Sequence, residues 1–149
     1  MHRSILSLLL SAIAVIASVT ARAQLKADDI TGTWLTRGDK KAKIAITRNG
    51  NTYDGRIVYL SVLNADGSSP RDEKNPDKAK RSQTILGLQI LKGFKFDKDE
   101  WNHGEIYDPE SGKTYSCTLS LKDPATLKVR GYIGISLLGR TEIWTKVLP

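Results

Sequence analysis

From Asp29 to the C-terminus the chain is a succession of short apolar or alternating runs, each stopped by turn residues. No internal repeat appears, and no helical period outlasts one short segment. Strands of this length at this spacing restrict the chain to an antiparallel barrel or sandwich. Thr31 to Thr36 reads as the first strand. Ala42, Ile44 and Ile46 then alternate with Lys43, Ala45 and Thr47, which gives the second strand one wet face. Asn49-Gly50 is a tight-turn signal because both residues tolerate positive φ, and Tyr53 to Leu60 is its hairpin partner.

Leu63 to Ser82 breaks the rhythm with Asp, Lys, Arg, Ser and Pro. Within it Asn75-Pro76-Asp77 has the grammar of a helix start, so a short helix is expected from Pro76 to about Gln83. Strands are expected again at Thr84 to Leu91, Gly93 to Lys98, Trp101 to Tyr107 and Lys113 to Leu121. In the last of these Tyr115, Cys117, Leu119 and Leu121 share one face. Leu127 to Val147 supplies two more, joined through Gly131-Tyr-Ile-Gly134. With Gly93 to Lys98 taken as a second piece after Thr84 to Leu91, the count is about eight strands, and closing them into a barrel would remove the exposed edges of an open sheet.

Ahead of this domain, His2 and Arg3 are followed by an uncharged apolar run from Ile5 to Val19, then by Ala21-Arg22-Ala23. These are the parts of an export signal, so residues 1–23 are expected to be cleaved and the mature chain to start at Gln24. The apolar run is 15 residues long, short of the roughly 20 that cross a bilayer. No Cys follows the cleavage site to accept lipid. Residues 24–149 are then one exported domain, periplasmic or secreted, of 149 − 23 = 126 residues. Cys117 is its only cysteine and cannot form an intramolecular disulfide, so the fold must stand on its core. The signal removes Arg3 and Arg22, which takes the net charge from +7 to +5. A balance of that size biases encounters toward anionic surfaces.

Several pieces together carry a family resemblance. Gly32-Thr-Trp34 opens the first strand; Asp72-Glu-Lys-Asn75-Pro76-Asp77 follows with Arg81 and Gly87-Leu88. Trp101-Asn-His-Gly104-Glu-Ile106-Tyr107-Asp108-Pro109 and Gly112-Lys113-Thr114-Tyr115 come next. Val129-Arg130-Gly131-Tyr132 and Gly139-Arg140 with Trp144 end the chain. In these the chain resembles the bacterial domain-of-unknown-function 2147 family, small exported proteins with a lipocalin-like barrel. The resemblance implies the all-β, antiparallel lipocalin-like fold and the export route, and brings no established catalytic residues. In lipocalin-type barrels a first-strand Trp packs under a last-strand Arg. Gly32, Trp34, Gly139, Arg140 and Trp144 are therefore the expected closure set, with the Arg140 guanidinium stacked on Trp34.

The inventory argues against most chemistry. His103 is the one histidine after cleavage and no CxxC exists, so neither a metal nor a cofactor is expected. A Cys117–His103 nucleophile conflicts with the apolar face on which Cys117 lies, where burial keeps a thiol inert. Asp97, Asp99 and Glu100, like Asp108 and Glu110, sit in turns where carboxylates are usually solvated. Basic residues gather at Arg71, Lys74, Lys78, Lys80 and Arg81, and again at Arg37, Lys40, Lys41 and Lys43. They lack the interleaved aromatics that single-stranded nucleic acid would need. A contact with anionic envelope components fits them better.

Arg130 and Arg140 lie inside strands at the parity of Tyr132 and Trp144, so they could face the barrel interior and meet an anionic group. Arg130 could equally form an ion pair with Glu105 or Glu142. The reading is a non-catalytic barrel that binds a small apolar or amphipathic molecule. Tyr107, Tyr115, Arg130 and Tyr132 are its candidate ligand contacts, and Asp72, Asn75, Pro76 and Arg81 its candidate lid. The rival is an envelope interaction or stress module, its barrel filled by side chains, touching an anionic partner. A hydrolase is third. Interior volume separates the first two, since a ligand cavity needs about 300 Å³ or more.

Overall fold

A computed structural model of the chain describes residues 23–149. The export segment expected at residues 1–23 lies outside them, apart from Ala23. The eight strands are β1 Gly32–Leu35, β2 Ala42–Asn49, β3 Thr52–Leu60, β4 Gln89–Asp97, β5 Glu100–Asp108, β6 Lys113–Asp123, β7 Thr126–Tyr132 and β8 Arg140–Lys146. Each pairs antiparallel with the next, and β1 closes on β8 through Trp34↔Lys146 and Leu35↔Thr145. The expected closed antiparallel barrel of about eight strands is what forms.

Up-and-down order sends alternate connections to opposite ends. One end carries the tight turns 50–51, 98–99 and 124–125, together with a 3-10 turn, Ala27–Ile30, that runs into β1. The other carries the connections 36–41, 61–88, 109–112 and 133–139. The first is the plugged end and the second the loop end.

Two bulges set the inward face. Across from β3, Tyr53 and Gly55 pair with Phe94 and Leu91, so β4 carries an extra residue there. Gly93 absorbs it at φ 76°, a conformation that costs a side chain its usual backbone wells. The two strand pieces expected on either side of Gly93 are therefore one strand, and residues 84–88 belong to the preceding loop. In β5 the partners of Trp101 and Gly104 are Leu119 and Cys117. His103 takes up that extra residue at φ 59°. Both Trp101 and Gly104 are thereby turned inward.

The expected helix from Pro76 to Gln83 is only a 3-10 turn, Lys78–Lys80. Asn75 does not cap it. Its side-chain oxygen accepts from the Asp77 amide at 2.9 Å and its amide donates to Asp72 at 2.7 Å. The capping oxygen belongs to Asp77, which accepts from the Ala79 amide at 3.0 Å. The segment then folds back on itself, with Asp72 N donating to Gln83 O and Arg71 bridged to Thr84. A helix that short has too few internal bonds to compete with these contacts.

Candidate functional site

The barrel interior is built from the plugged end upward. Ile30 seals that end, fully buried, and the carbonyls beside it serve the indoles. Trp34 Nε1 donates to Ile30 O and Trp101 Nε1 to Ala27 O, each at 2.9 Å. Two buried polar donors are thus satisfied by the plug itself, as burial requires. Phe96 packs at 4.9 Å from the Trp101 ring, and Trp144, Leu119 and Leu127 complete the layer. Tyr53 donates to the Asp28 carboxylate; burial, and then that bond, push its phenol up to about 12.

Glycines make room across the middle. A Cβ on Gly55 would lie 2.8 Å from Leu91, and one on Gly104 would overlap the Phe94 ring. Side chains therefore fill the space that a ligand would need. Cys117 is buried in this layer, and burial pushes its thiol up to about 12. His103 is exposed on the bulge, on the opposite face of β5 from Gly104, the partner of Cys117. The two do not form a nucleophilic pair.

The expected ligand contacts are not brought together. Tyr115 is half-buried and shares the inward face with Cys117. Arg130 is on the outer face, because its neighbours Leu127 and Val129 set the inward parity of β7. Its guanidinium donates to Ser136 O at 2.7 Å, Leu137 O at 3.2 Å and Thr141 Oγ1 at 2.7 Å. It clamps the β7–β8 connection, and neither Glu105 nor Glu142 is its partner. Tyr132 shares the outer parity, paired with Ser116.

Nor does Arg140 reach Trp34. It pairs with Gly131 at the loop end, its side chain 87% exposed and 3.9 Å from Glu142. The cation over Trp34 is Lys146, six residues farther along β8, with Nζ 5.1 Å from the ring centroid and 3.3 Å from Asp29 O. Register decides this, since Trp34 pairs with Lys146. Gly32 accommodates the Lys146 stem beside it at φ 124°. Gly139 serves the other end, where a Cβ would press against Gly131 O at 2.6 Å.

The expected lid is a fastened strap. Asp72 is fully buried; one carboxylate oxygen accepts from Tyr107 at 2.7 Å and the other from Asn75 at 2.7 Å. Arg81 Nε donates to Asn75 O at 2.7 Å. Burial, followed by the Asp72 bond, raises the Tyr107 phenol well above the usual range for tyrosine. Ile90 and Tyr107 oppose the inward Leu91 and Ile106 in parity, so the strap lies against the outer wall.

Between strap and wall runs an open groove of about 760 Å³, lined among others by Arg56, Pro76, Lys80, Leu86, Gln89 and Tyr107. Arg56 is held there by Gly87 O at 3.2 Å and Gln89 Oε1 at 3.3 Å. A smaller hollow of about 360 Å³ lies by Lys40, Arg71 and Lys74. Its lysines are engaged by Glu110, through the carboxylate at 3.0 Å and the carbonyl at 2.6 Å. Among the described residues, no three His, Cys, Asp or Glu side chains are placed to hold a metal ion. Sequence reasoning missed Lys146 and Arg56. Lys146 shares the parity of Trp144, a signal that was available; Arg56 gave none.

The molecule is thus a small lipocalin-like barrel, closed, antiparallel and packed with its own side chains. Its sequence carries the corresponding family: the bacterial family described as "Uncharacterized protein conserved in bacteria (DUF2147)" matches residues 32–146, and the chain belongs to it. No curated protein matches it in sequence. Among solved structures it is similar to protein HP1028 of the human pathogen Helicobacter pylori, described as belonging to the lipocalin family. The two superpose with a TM-score of 0.69 at 19% identity, over 79% of this chain and 82% of that one. Identity that low speaks for the fold alone. No helix among the described residues is long and apolar enough to cross a membrane.

Proposed function

We propose that the chain is an exported, non-catalytic binding protein that takes a small amphipathic anion on its outer wall, with residues 1–23 directing export. The observation that carries this reading is the groove of about 760 Å³ under the strap, above the size that small-molecule sites need. Leu86, Pro76 and the Tyr107 ring offer apolar contact there, while Arg56 and Lys80 offer charge to an acidic head. Tyr107, Asn75 and Pro76 are among the residues that line this groove. The interior is the poorer candidate, because Phe94 and Leu91 occupy it. Native mass spectrometry of protein purified from its own envelope tests the reading. The wild-type chain should carry a small acidic molecule, and Arg56→Glu, a change at an exposed residue, should release it. A wild-type chain without such a passenger, or an Arg56→Glu variant that keeps it, would reject the groove as the site.

The filled interior also favours the rival, an envelope interaction module that touches an anionic partner. The basic residues of the 61–88 connection, Arg71 to Arg81, would be its contact surface.

A further inference from the structure

The β7–β8 connection is the most apolar exposed stretch of the molecule. Ile133, Ile135, Leu137 and Leu138 stand within six residues of one another, each 60–80% exposed. Single exposed apolar side chains are ordinary on a soluble surface, but a contiguous cluster rimmed by polar residues marks a contact. Residues 131–139 carry no charge, and Arg130 and Arg140 flank them.

The loop is also held in shape. Two bonds from the Arg130 guanidinium fix its last turn, a third ties the guanidinium to Thr141 of β8, and Leu138 N and Gly139 N close that turn on Ile135 O and Ser136 O. Its apolar side chains are therefore presented without a large ordering cost at contact. Nothing within the described residues covers them.

We infer that the loop end of the barrel docks on an anionic phospholipid surface, with Ile133, Ile135, Leu137 and Leu138 entering the interfacial layer. Charge and shape select this occupant. The loop-end connections hold eight Lys and Arg against six Asp and Glu, a balance of +2. The terminal segments and turns of the plugged end hold two against three, a balance of −1. Arg37, Lys40 and Lys41 stand in the connection next to the apolar loop around the rim, all three exposed, with Lys40 also paired to Glu110. A second apolar point, Val62-Leu63, is about half exposed in the 61–88 connection of the same end. Apolar points on separate connections of one rim, with cations between them, suit a plane better than a protein cleft. Insertion of the side chains and attraction of the cations then act together.

Vesicle flotation tests this with the mature chain. Vesicles of phosphatidylglycerol and phosphatidylethanolamine should retain the protein, pure phosphatidylcholine vesicles should not, and added salt should weaken the binding. Leu137→Ser with Leu138→Ser should lower partitioning about tenfold or more, with the melting curve unchanged because both side chains are exposed. The double variant should keep the acidic passenger that Arg56→Glu releases, which separates this surface from the groove. Equal binding by the double variant, or equal binding to phosphatidylcholine, would overturn the inference. So would a chain that ignores vesicles and instead forms a dimer that the double variant loses, since a second copy would then be the occupant.

Discussion

At the plugged end the indole donors of Trp34 and Trp101 find backbone carbonyls, and the aromatic side chains behind them are buried. At the loop end, four large apolar side chains stand in solvent while an arginine is spent on carbonyls of the loop itself. The same eight strands support both. Stability is therefore concentrated where the N-terminal 3-10 turn enters the barrel, and the other end is left to present side chains outward. A protein that needed only to be stable would have no reason to hold Ile133 and Leu137 in water.

The largest test of that contrast is Trp34→Ala. It removes a fully buried indole, its bond to Ile30 O and the floor beneath Lys146, and should cost about 3–5 kcal/mol in chemical denaturation. A loss near 1 kcal/mol would mean that the plug is not the stability centre. Tyr107→Phe comes next. It strips the donor from one oxygen of a buried carboxylate, with an expected loss of about 1–3 kcal/mol. Proteolysis should then cut residues 72–83 first, whereas equal susceptibility in the wild type would show that Tyr107 does not fasten the strap.

Cys117 gives a pH test confined to the packed interior. Its folded thiol titrates near 12 against 9.0 for an ordinary one. Well below pH 9 it is neutral in both states and contributes nothing to pH dependence. Between about 9 and 12 the unfolded chain loses the proton and the folded chain keeps it, so stability should fall by up to about 1.4 kcal/mol per pH unit from this group. Cys117→Ala should flatten that part of the curve. An identical slope would place the thiol in contact with water. The smallest effect is Arg140→Ala, within about 0.5 kcal/mol for so exposed a side chain. Lys146→Ala should cost somewhat more, about 0.5–1 kcal/mol, and only Lys146 should couple to Trp34 in a double-mutant cycle.

Those last two residues mark how far the sequence could be read. Strand count, order and closure were legible, because alternation and turn residues are local signals and the Trp34 and Trp144 positions agree with a seam. The cation on that seam was not. Choosing between Arg140 and Lys146 needs the β1–β8 register, which rests on long-range pairing that local pattern does not encode. Arg130 failed for a related reason. Its parity matched Trp144 by number, but residue parity carries across a seven-residue connection only by accident. The helix at Pro76 failed through chemistry: Asn75 had a capping side chain, yet Asp72 and the Asp77 amide claimed it. Asp72, Asn75 and Tyr107 do meet, though as a fastening and not as a lid.

Amide hydrogen exchange of the chain, read residue by residue, tests most directly whether the two ends divide stability from presentation. Amides around Trp34, Phe94, Trp101, Cys117 and Leu119 should exchange only through global unfolding, while those of residues 133–138 exchange orders of magnitude faster through local opening. Protection of residues 133–138 equal to that of the Trp34 layer would contradict the division.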